Sequence, residues 1–204
     1  MTQTDPYHGM GTLVNHLQPD PQPHYAHVPP IYQTSTFRFP DVATGVAIEE
    51  GEQPGYIYTR LANPNADLLA RKYACLEGLD LLRRRPEADL DGIVAGQVFA
   101  SGMAAIAAAV LARVRAGDTI IAQRALYGNT FNLLHDLLPG LGIQVVLVDD
   151  PSPEGWAAAF REHPQARLAY AETPVNPTLQ VIDLAALVDL AHRHETWVLV
   201  DNTF

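Results

Sequence analysis

Apolar and polar residues alternate in blocks along the second half of the chain. Short, mostly apolar runs typical of buried strands are followed by longer runs with apolar residues at helical spacing. Strands are predicted at 93–100, 119–122, 142–148, 166–171 and 197–200, and helices at 103–114, 129–138, 156–163 and 184–194. Strands and helices that alternate in this way form a mostly parallel sheet covered on both faces. The pattern therefore predicts an α/β fold.

The first part of the chain lacks this alternation. Residues 1 to about 55 are rich in proline and histidine and show no sustained helical or strand period. We interpret them as an extended arm that lies on another surface, either of this chain or of a second subunit. Helical spacing begins after Asn63 and predicts a helix at about 65–77, capped by Asn63 or Asn65. Residues 81–91 (LLRRRPEADLD) are predicted to form an exposed loop or helix end.

Composition and charge narrow the class of partner. The chain has 204 residues, of which 48% are hydrophobic, and a formal net charge of −10. This charge argues against nucleic acid or an anionic membrane surface as a partner, because both need a basic patch. Cys75 is the single cysteine, and no cysteine or histidine spacing indicates a metal site. Without a signal-peptide or membrane-spanning pattern, we expect a cytoplasmic protein that binds a small molecule and no metal.

Polar residues follow several predicted strands, and in open parallel sheets ligands bind beyond the carboxyl ends of the strands. Ser101 and Gly102 follow the strand 93–100 and open a helix, whose free amides suit a phosphate. Any helix start can carry small residues, so this motif alone is ambiguous. Tyr127 follows the strand 119–122 and would either stack on a planar ligand or pack at the start of a helix.

Two further polar residues are expected at the same edge of the sheet. Asn176 follows the strand 166–171 and could bind a ligand oxygen or organise a turn. Asp201 follows the strand 197–200, where a carboxylate is costly unless it has a partner. A protonated pyridine nitrogen is one such partner. The alternative is that Asp201 or Asn202 caps a helix.

Tyr58 and Arg60 lie in the arm region, two residues apart. They would share a face if the segment were extended. Arg60 is then a candidate phosphate ligand with Tyr58 as a second donor, and both could serve the site of a neighbouring subunit. The alternative is a surface arginine beside a packed tyrosine.

The order and spacing of these motifs resemble the Cys/Met-metabolism family of pyridoxal-phosphate (PLP) enzymes. That family includes methionine γ-lyase, cystathionine γ-lyase and γ-synthase, and O-acetylhomoserine sulfhydrylase. The resemblance covers nearly the whole chain. It is carried by the segments Val28-Pro-Pro-Ile-Tyr-Gln-Thr-Ser-Thr-Phe, Tyr58-Thr-Arg-Leu-Ala-Asn-Pro, Leu76-Glu-Gly, Ala100-Ser-Gly-Met-Ala-Ala-Ile, Leu126-Tyr-Gly-Asn-Thr, Glu172-Thr-Pro-Val-Asn-Pro and Val200-Asp-Asn-Thr.

The resemblance implies the type I aminotransferase fold, with an extended N-terminal arm and a mostly parallel sheet flanked by helices. Residues 1–64 would be the arm, which contributes to the partner subunit's site, and 65–204 the first part of the large PLP-binding domain. A homotetramer built as a dimer of dimers is implied as well. The implied cofactor-binding residues are Tyr58, Arg60, Ser101, Gly102, Met103, Tyr127, Asn176, Asp201 and Thr203.

Within this set the resemblance also implies individual roles. The amides of Gly102 and Met103 would bind the cofactor phosphate, helped by Tyr58 and Arg60 of a partner subunit. The two residues expected to act in catalysis are Tyr127, which would stack on the pyridine ring and assist proton transfer, and Asp201, which would pair with the ring nitrogen. Asn176 would bond the ring hydroxyl.

Three features depart from the family pattern. The lysine that forms the Schiff base in this family follows the Asp-Asn-Thr strand, and the sequence ends before it; Lys72, the only lysine, does not lie in the corresponding motif. The fragment alone is therefore expected to be inactive. Residues 80–97 form a longer connection than is usual. Asn129 stands where methionine γ-lyases typically carry a cysteine.

We predict a PLP-dependent carbon–sulfur lyase that acts on sulfur amino acids by γ-elimination, similar to methionine γ-lyase. A γ-replacement enzyme, either an O-acetylhomoserine sulfhydrylase or a cystathionine γ-synthase, is the alternative. Cystathionine γ-lyase is disfavoured because Ile57 replaces an acidic residue often found there. A non-catalytic truncated protein with the PLP fold is an alternative of another class. A nucleotide-binding domain has no GxGxxG or P-loop motif to support it.

Overall fold

The computed structural model of the chain describes residues 9–17, 23–85 and 92–204. The chain divides into two compact units, Met1–Val98 and Phe99–Phe204. The second unit contains the sheet and most of the residues predicted for the site. Within the described ranges, no helix has the length and apolar character needed to cross a bilayer.

The sheet of the second unit has four strands, all parallel, in the order β2-β1-β3-β4. The strands are β1 (Thr119–Gln123), β2 (Gln144–Val148), β3 (Leu168–Glu172) and β4 (Trp197–Asp201). Every residue of β1 and β3 is buried, as expected for the two central strands of a covered parallel sheet. The predicted strands at 119–122, 142–148, 166–171 and 197–200 and their parallel arrangement are confirmed.

Helices cover both faces of this sheet. Neighbouring residues of a strand point to opposite faces, so Ile120 and Ile121 belong to different cores. Ile121 packs with Trp156 and Phe160, whereas Ile120 packs with Leu134, among others. The helices are α5 (Gly102–Leu111), α6 (Gly128–Asn132), α7 (Leu138–Gly140), α8 (Pro153–Glu162) and α9 (Leu184–Arg193), with a π-helical turn at Leu133–Leu137 between α6 and α7.

The predicted strand at 93–100 is wrong. No strand is assigned to this segment, which belongs largely to the first unit. Its apolar residues are explained by packing instead: Val94 lies against the buried pair Cys75 and Leu82. The backbone at Gly96 lies so close to the carbonyl of Ala70 that an added Cβ would collide with it. The segment is apolar because it is buried against helices, and its pattern therefore resembles that of a buried strand although it pairs with no sheet.

The first unit contains four α-helices among its described residues. They are α1 (Met10–His16), α2 (Val42–Glu49), α3 (Pro64–Glu77) and α4 (Leu79–Arg84). The helix predicted at about 65–77 is confirmed as α3. The interpretation of residues 1 to about 55 as an extended arm is wrong at α1 and α2, which are helical. Residues 81–91 were predicted to form an exposed loop or a helix end, and the chain is helical up to Arg84. Residues 86–91, like 1–8 and 18–22 of the predicted arm, lie outside the described residues.

Contacts between the arm region and α3 explain how the arm is held. The ammonium of Lys72 on α3 donates to the carbonyl of Val14 on α1 at 2.6 Å. The side chain of Asn63 caps α3 by accepting from the amide of Asn65 at 2.9 Å. The Asn65 side chain accepts from the amide of Tyr32 at 2.8 Å. Asn63 is thus the N-cap, while Asn65 binds the preceding segment to the helix.

Candidate active site

Three polar residues end three adjacent strands of the sheet: Gln123 on β1, Glu172 on β3 and Asp201 on β4. Glu172 and Asp201 are direct neighbours in the register of β3 and β4. The side-chain amide of Gln123 donates to the carbonyl of Glu172 at 3.0 Å, and the amide of Glu172 donates back to Oε1 of Gln123 at 3.2 Å. Because the strands are parallel, the loops that follow them meet at this edge.

The start of α5 carries the residues predicted to bind a phosphate. Ser101 is its N-cap, and the Ser101 hydroxyl accepts from the amide of Ala104 at 3.1 Å. The first amides of a helix have no acceptor within the helix, so those of Gly102 and Met103 are available to a ligand. A Cβ at Gly102 would meet nothing within 4 Å. The predicted phosphate-binding residues therefore lie beside open space, at the positive end of a helix.

Tyr127 lies between β1 and α6 and presents its ring to solvent, with 41% of the residue exposed. Its hydroxyl oxygen accepts a hydrogen bond from the side-chain amide of Asn129 at 3.0 Å. Its backbone amide donates to Oε2 of Glu172 at 2.7 Å. An exposed ring that is held at both ends is suited to stacking on a planar ligand.

Asn176 follows β3 and is exposed. Its backbone amide donates to Oε1 of Glu172 at 2.9 Å, while no described hydrogen bond uses its side chain. The same carboxylate thus holds Tyr127 and Asn176, which come from different loops. Glu172 and Gln123 were not among the residues predicted for the site. The signal that could have found them is a charged and an amide side chain at the buried ends of two apolar strands.

Asp201 is half-buried at the end of β4. Its Oδ1 accepts from the hydroxyl of Thr203 at 2.6 Å and from the Thr203 amide at 3.1 Å. Its Oδ2 accepts from the hydroxyl of Tyr170 at 3.4 Å. Thr203 therefore orients the carboxylate.

Two buried side chains, Tyr170 and Thr130, contact residues of the predicted site. Tyr170 is fully buried, and burial raises its pKa, reinforced by the negative charge of Asp201 and partly offset by a hydrogen bond with Thr130. The hydroxyl of Thr130 in turn donates to the sulfur of Met103 at 3.7 Å. Tyr170 and Thr130 were not predicted.

Tyr58 and Arg60 lie in the first unit and are near each other, but the segment is not extended there. The amide of Leu61 donates to the carbonyl of Tyr58 at 2.9 Å, which closes a turn. The guanidinium carbon of Arg60 lies 4.8 Å from the centre of the Tyr58 ring. A turn, and not the alternation of a strand, brings the two side chains together. Their predicted role in a neighbouring subunit's site stays a prediction.

An open parallel sheet with an exposed phenol ring and a half-buried carboxylate at its carboxyl edge is typical of α/β domains that bind a cofactor. The family model described as Cys/Met metabolism PLP-dependent enzyme matches residues 11–204. The chain therefore belongs to the Cys/Met-metabolism family of PLP-dependent enzymes.

Individual relatives agree with this assignment. The chain is 43% identical to L-methionine γ-lyase of Porphyromonas gingivalis over 86% of this chain and 40% of that protein. It is 38% identical to O-acetyl-L-homoserine sulfhydrylase of Leptospira meyeri over 91% of this chain and 38% of that protein. The chain thus spans less than half the length of these relatives.

A solved structure shows the same fold with a cofactor. A Campylobacter jejuni protein assigned as an O-acetylhomoserine (thiol)-lyase superposes with a TM-score of 0.79 at 25% identity, over 96% of this chain and 44% of that one. It contains N'-pyridoxyl-lysine-5'-monophosphate. The predicted type I aminotransferase fold and the predicted cofactor of the family are confirmed.

The residues at the sheet edge fit pyridoxal phosphate. The open space at Gly102 and the free amides beside it suit the phosphate, and the exposed ring of Tyr127 suits the pyridine. The carboxylate of Asp201 suits a protonated ring nitrogen, because an opposite charge would add to the hydrogen bonds that already stabilise this half-buried group. Asn176 carries a side-chain amide that no described hydrogen bond uses.

Proposed function

We propose that the whole protein containing this chain is a PLP-dependent carbon–sulfur lyase that cleaves a sulfur amino acid by γ-elimination. The observation that supports it most directly is the pairing of Tyr127 and Asp201 with a helix start at one sheet edge, in a chain 43% identical to a methionine γ-lyase. Bound pyridoxal phosphate would supply the protonated ring that takes up electrons from the amino acid.

Each residue of the site has a defined part in this proposal. The amides of Gly102 and Met103 bind the phosphate, as helix starts do. Asp201, oriented by Thr203 at 2.6 Å, keeps the ring nitrogen protonated. Tyr127 covers the ring and moves a proton at its hydroxyl oxygen, which Asn129 holds at 3.0 Å. Asn176 binds the ring hydroxyl through its side chain.

The test is the mass of the natively expressed protein after reduction with borohydride. The reduction converts a Schiff base into a stable amine, so that a bound cofactor stays attached during the measurement. A species well above 22.3 kDa that carries one reduced cofactor supports the proposal. A bare 22.3 kDa chain without cofactor contradicts it and supports a non-catalytic protein that keeps the fold.

γ-Replacement is the second candidate. It is favoured by the 38% identity to a sulfhydrylase and by Asn129, which bonds the Tyr127 hydroxyl where a thiol would be expected in methionine γ-lyases. The native protein should be assayed for thiol, ammonia and oxo acid from methionine, and for sulfide incorporation into an O-acyl homoserine. Faster sulfide incorporation would replace the lyase assignment with a sulfhydrylase.

We also propose that Tyr58 and Arg60 serve the site of a neighbouring subunit in a homotetramer. Their proximity at 4.8 Å would let them bind one phosphate group together. Arg60→Ala and Asp201→Asn should each be inactive alone. Mixed after dissociation, the two variants should regain activity, because some sites then receive both intact residues. No recovery would place Arg60 in the site of its own subunit or outside any site.

A further inference from the structure

Glu172 is a buried carboxylate with an unusual set of partners. It is 3% exposed, and both of its oxygens are used. Oε2 accepts from the backbone amide of Tyr127 at 2.7 Å, and Oε1 accepts from the backbone amide of Asn176 at 2.9 Å. One side chain on β3 thus joins the loop after β1 to the loop after its own strand.

The main chain of Glu172 is held as firmly as its side chain. Gln123, fully buried, donates to its carbonyl at 3.0 Å and accepts from its amide at 3.2 Å. The Gln123 amide also donates to the carbonyl of Ala125 at 2.7 Å, at the start of the loop that leads to Tyr127. The carboxylate therefore projects from a fixed point toward both loops.

The partners of the carboxylate are amides and not a basic side chain. A buried negative charge costs free energy unless it is well hydrogen-bonded, and bonds from amides to an ionised oxygen are among the stronger ones. A neutral amide side chain in its place would present one oxygen and one NH₂ group. The NH₂ group would face a backbone N–H, so only one of the two loops could be bound.

We propose that Glu172 is a positioning residue of the active site. It fixes the backbone of Tyr127 and Asn176 so that the phenol ring and the side-chain amide reach the same cofactor ring. This rests on the proposed function, in which Tyr127 and Asn176 contact that ring. A site preorganised in this way binds its ligand without first ordering two loops.

Three variants separate geometry from charge. Glu172→Gln keeps the size and loses one acceptor. Glu172→Asp keeps the charge but is one methylene shorter, so it cannot reach both amides. Glu162→Gln removes the same charge from an exposed position on α8 and is the matched control. If only charge mattered, the aspartate variant would behave like the wild type.

The experiment uses the natively expressed protein freed of cofactor, and two probes. Pyridoxine 5'-phosphate carries the ring and phosphate but cannot form a Schiff base, and inorganic phosphate tests the start of α5 alone. We expect both Glu172 variants to bind pyridoxine 5'-phosphate about tenfold more weakly. This is the change in affinity expected when one hydrogen bond to a charged group no longer holds a loop in place. Binding of inorganic phosphate, and both affinities of Glu162→Gln, should stay within about twofold.

Hydrogen exchange gives a readout that does not depend on the cofactor. In each Glu172 variant at least one of the two amides, that of Tyr127 or that of Asn176, should exchange faster. Both amides should exchange at the wild-type rate in Glu162→Gln. If exchange accelerates but pyridoxine 5'-phosphate binds as before, Glu172 is structural only and the proposal fails. Unchanged exchange also overturns it. If the wild type itself binds neither probe, the proposed function falls, whatever the exchange data show about the two loops.

The proposal can still be tested if one variant unfolds. If far-ultraviolet circular dichroism shows that Glu172→Gln is unfolded, Glu172→Asp, which retains the buried charge, is measured alone. A folded aspartate variant with wild-type affinity and exchange would overturn the proposal by itself.

Discussion

The hydroxyl of Tyr170, fully buried in the second unit, donates to Oδ2 of Asp201 at 3.4 Å. Burial raises the pKa of this phenol, and the charge of Asp201 raises it further. The bond therefore joins a carboxylate of the candidate site to a tyrosine whose pKa in the folded state lies above the usual tyrosine value of about 10. This tyrosine stays protonated at pH values at which a free tyrosine loses its proton.

A dependence of stability on alkaline pH follows from this pair. Above about pH 10 the unfolded chain loses the Tyr170 proton while the folded chain keeps it, so the free energy of unfolding falls as pH rises. Tyr170→Phe should reduce that fall by up to about 1.4 kcal/mol per pH unit. Urea unfolding between pH 9 and 11 measures it, with exposed Tyr73→Phe as the control. If the free energy of unfolding falls equally steeply with pH in the wild type and in Tyr170→Phe, the raised pKa of Tyr170 is contradicted.

Two serine caps separate helix stability from phosphate binding. Ser101 caps α5 and Ser152 caps α8, each by accepting an amide three residues on. Alanine at either position should lower the free energy of unfolding by about 1 kcal/mol. Only Ser101→Ala should also weaken binding of inorganic phosphate, since α5 carries the proposed phosphate site. Calorimetric titration of both variants measures this, and equal phosphate affinity in the two would remove Ser101 from the site.

The segment 93–100 can be tested through its glycines. A Cβ at Gly96 would collide with the carbonyl of Ala70, whereas a Cβ at Gly92 would meet nothing within 4 Å. Gly96→Ala should therefore destabilise the chain by about 1–3 kcal/mol, and Gly92→Ala should change it little. Denaturant unfolding compares them. If both variants match the wild type, the segment does not pack on α3 as described.

Tyr56 in the first unit has a pKa raised to about 12, first by its burial and then by the charge of Asp67. Asp67→Asn should lower this pKa part of the way toward its ordinary value, while burial keeps the rest of the shift. Glu77→Gln, exposed at the end of the same helix, is the matched control. The pKa of Tyr56 is measured by following its ring resonances by NMR as a function of pH. If Tyr56 titrates at the same pH in Asp67→Asn, the charge of Asp67 does not contribute to the raised pKa.

The local pattern of residues was enough to predict much of this protein. The alternation of apolar strands and amphipathic helices between Thr119 and Asp201 predicted the parallel sheet, because each element has its own period and the crossovers demand parallel pairing. Helical spacing after Asn63-Pro64 predicted α3, with Asn63 or Asn65 as its cap. Polar residues after strands predicted where a ligand would bind, because parallel strands end at one edge.

Other features depended on contacts between residues distant in sequence. An apolar run such as 93–100 fits a buried strand and a segment packed on helices equally well, and only the approach of Gly96 to Ala70 decides between them. The bond that the Tyr127 amide donates to Glu172 depends on the register of β1 and β3, which no local pattern specifies. The sequence by itself determined the order of the elements and the edge that carries the polar residues. The tertiary structure decided which of those residues hold one another, because hydrogen bonds across a sheet are set by strand register.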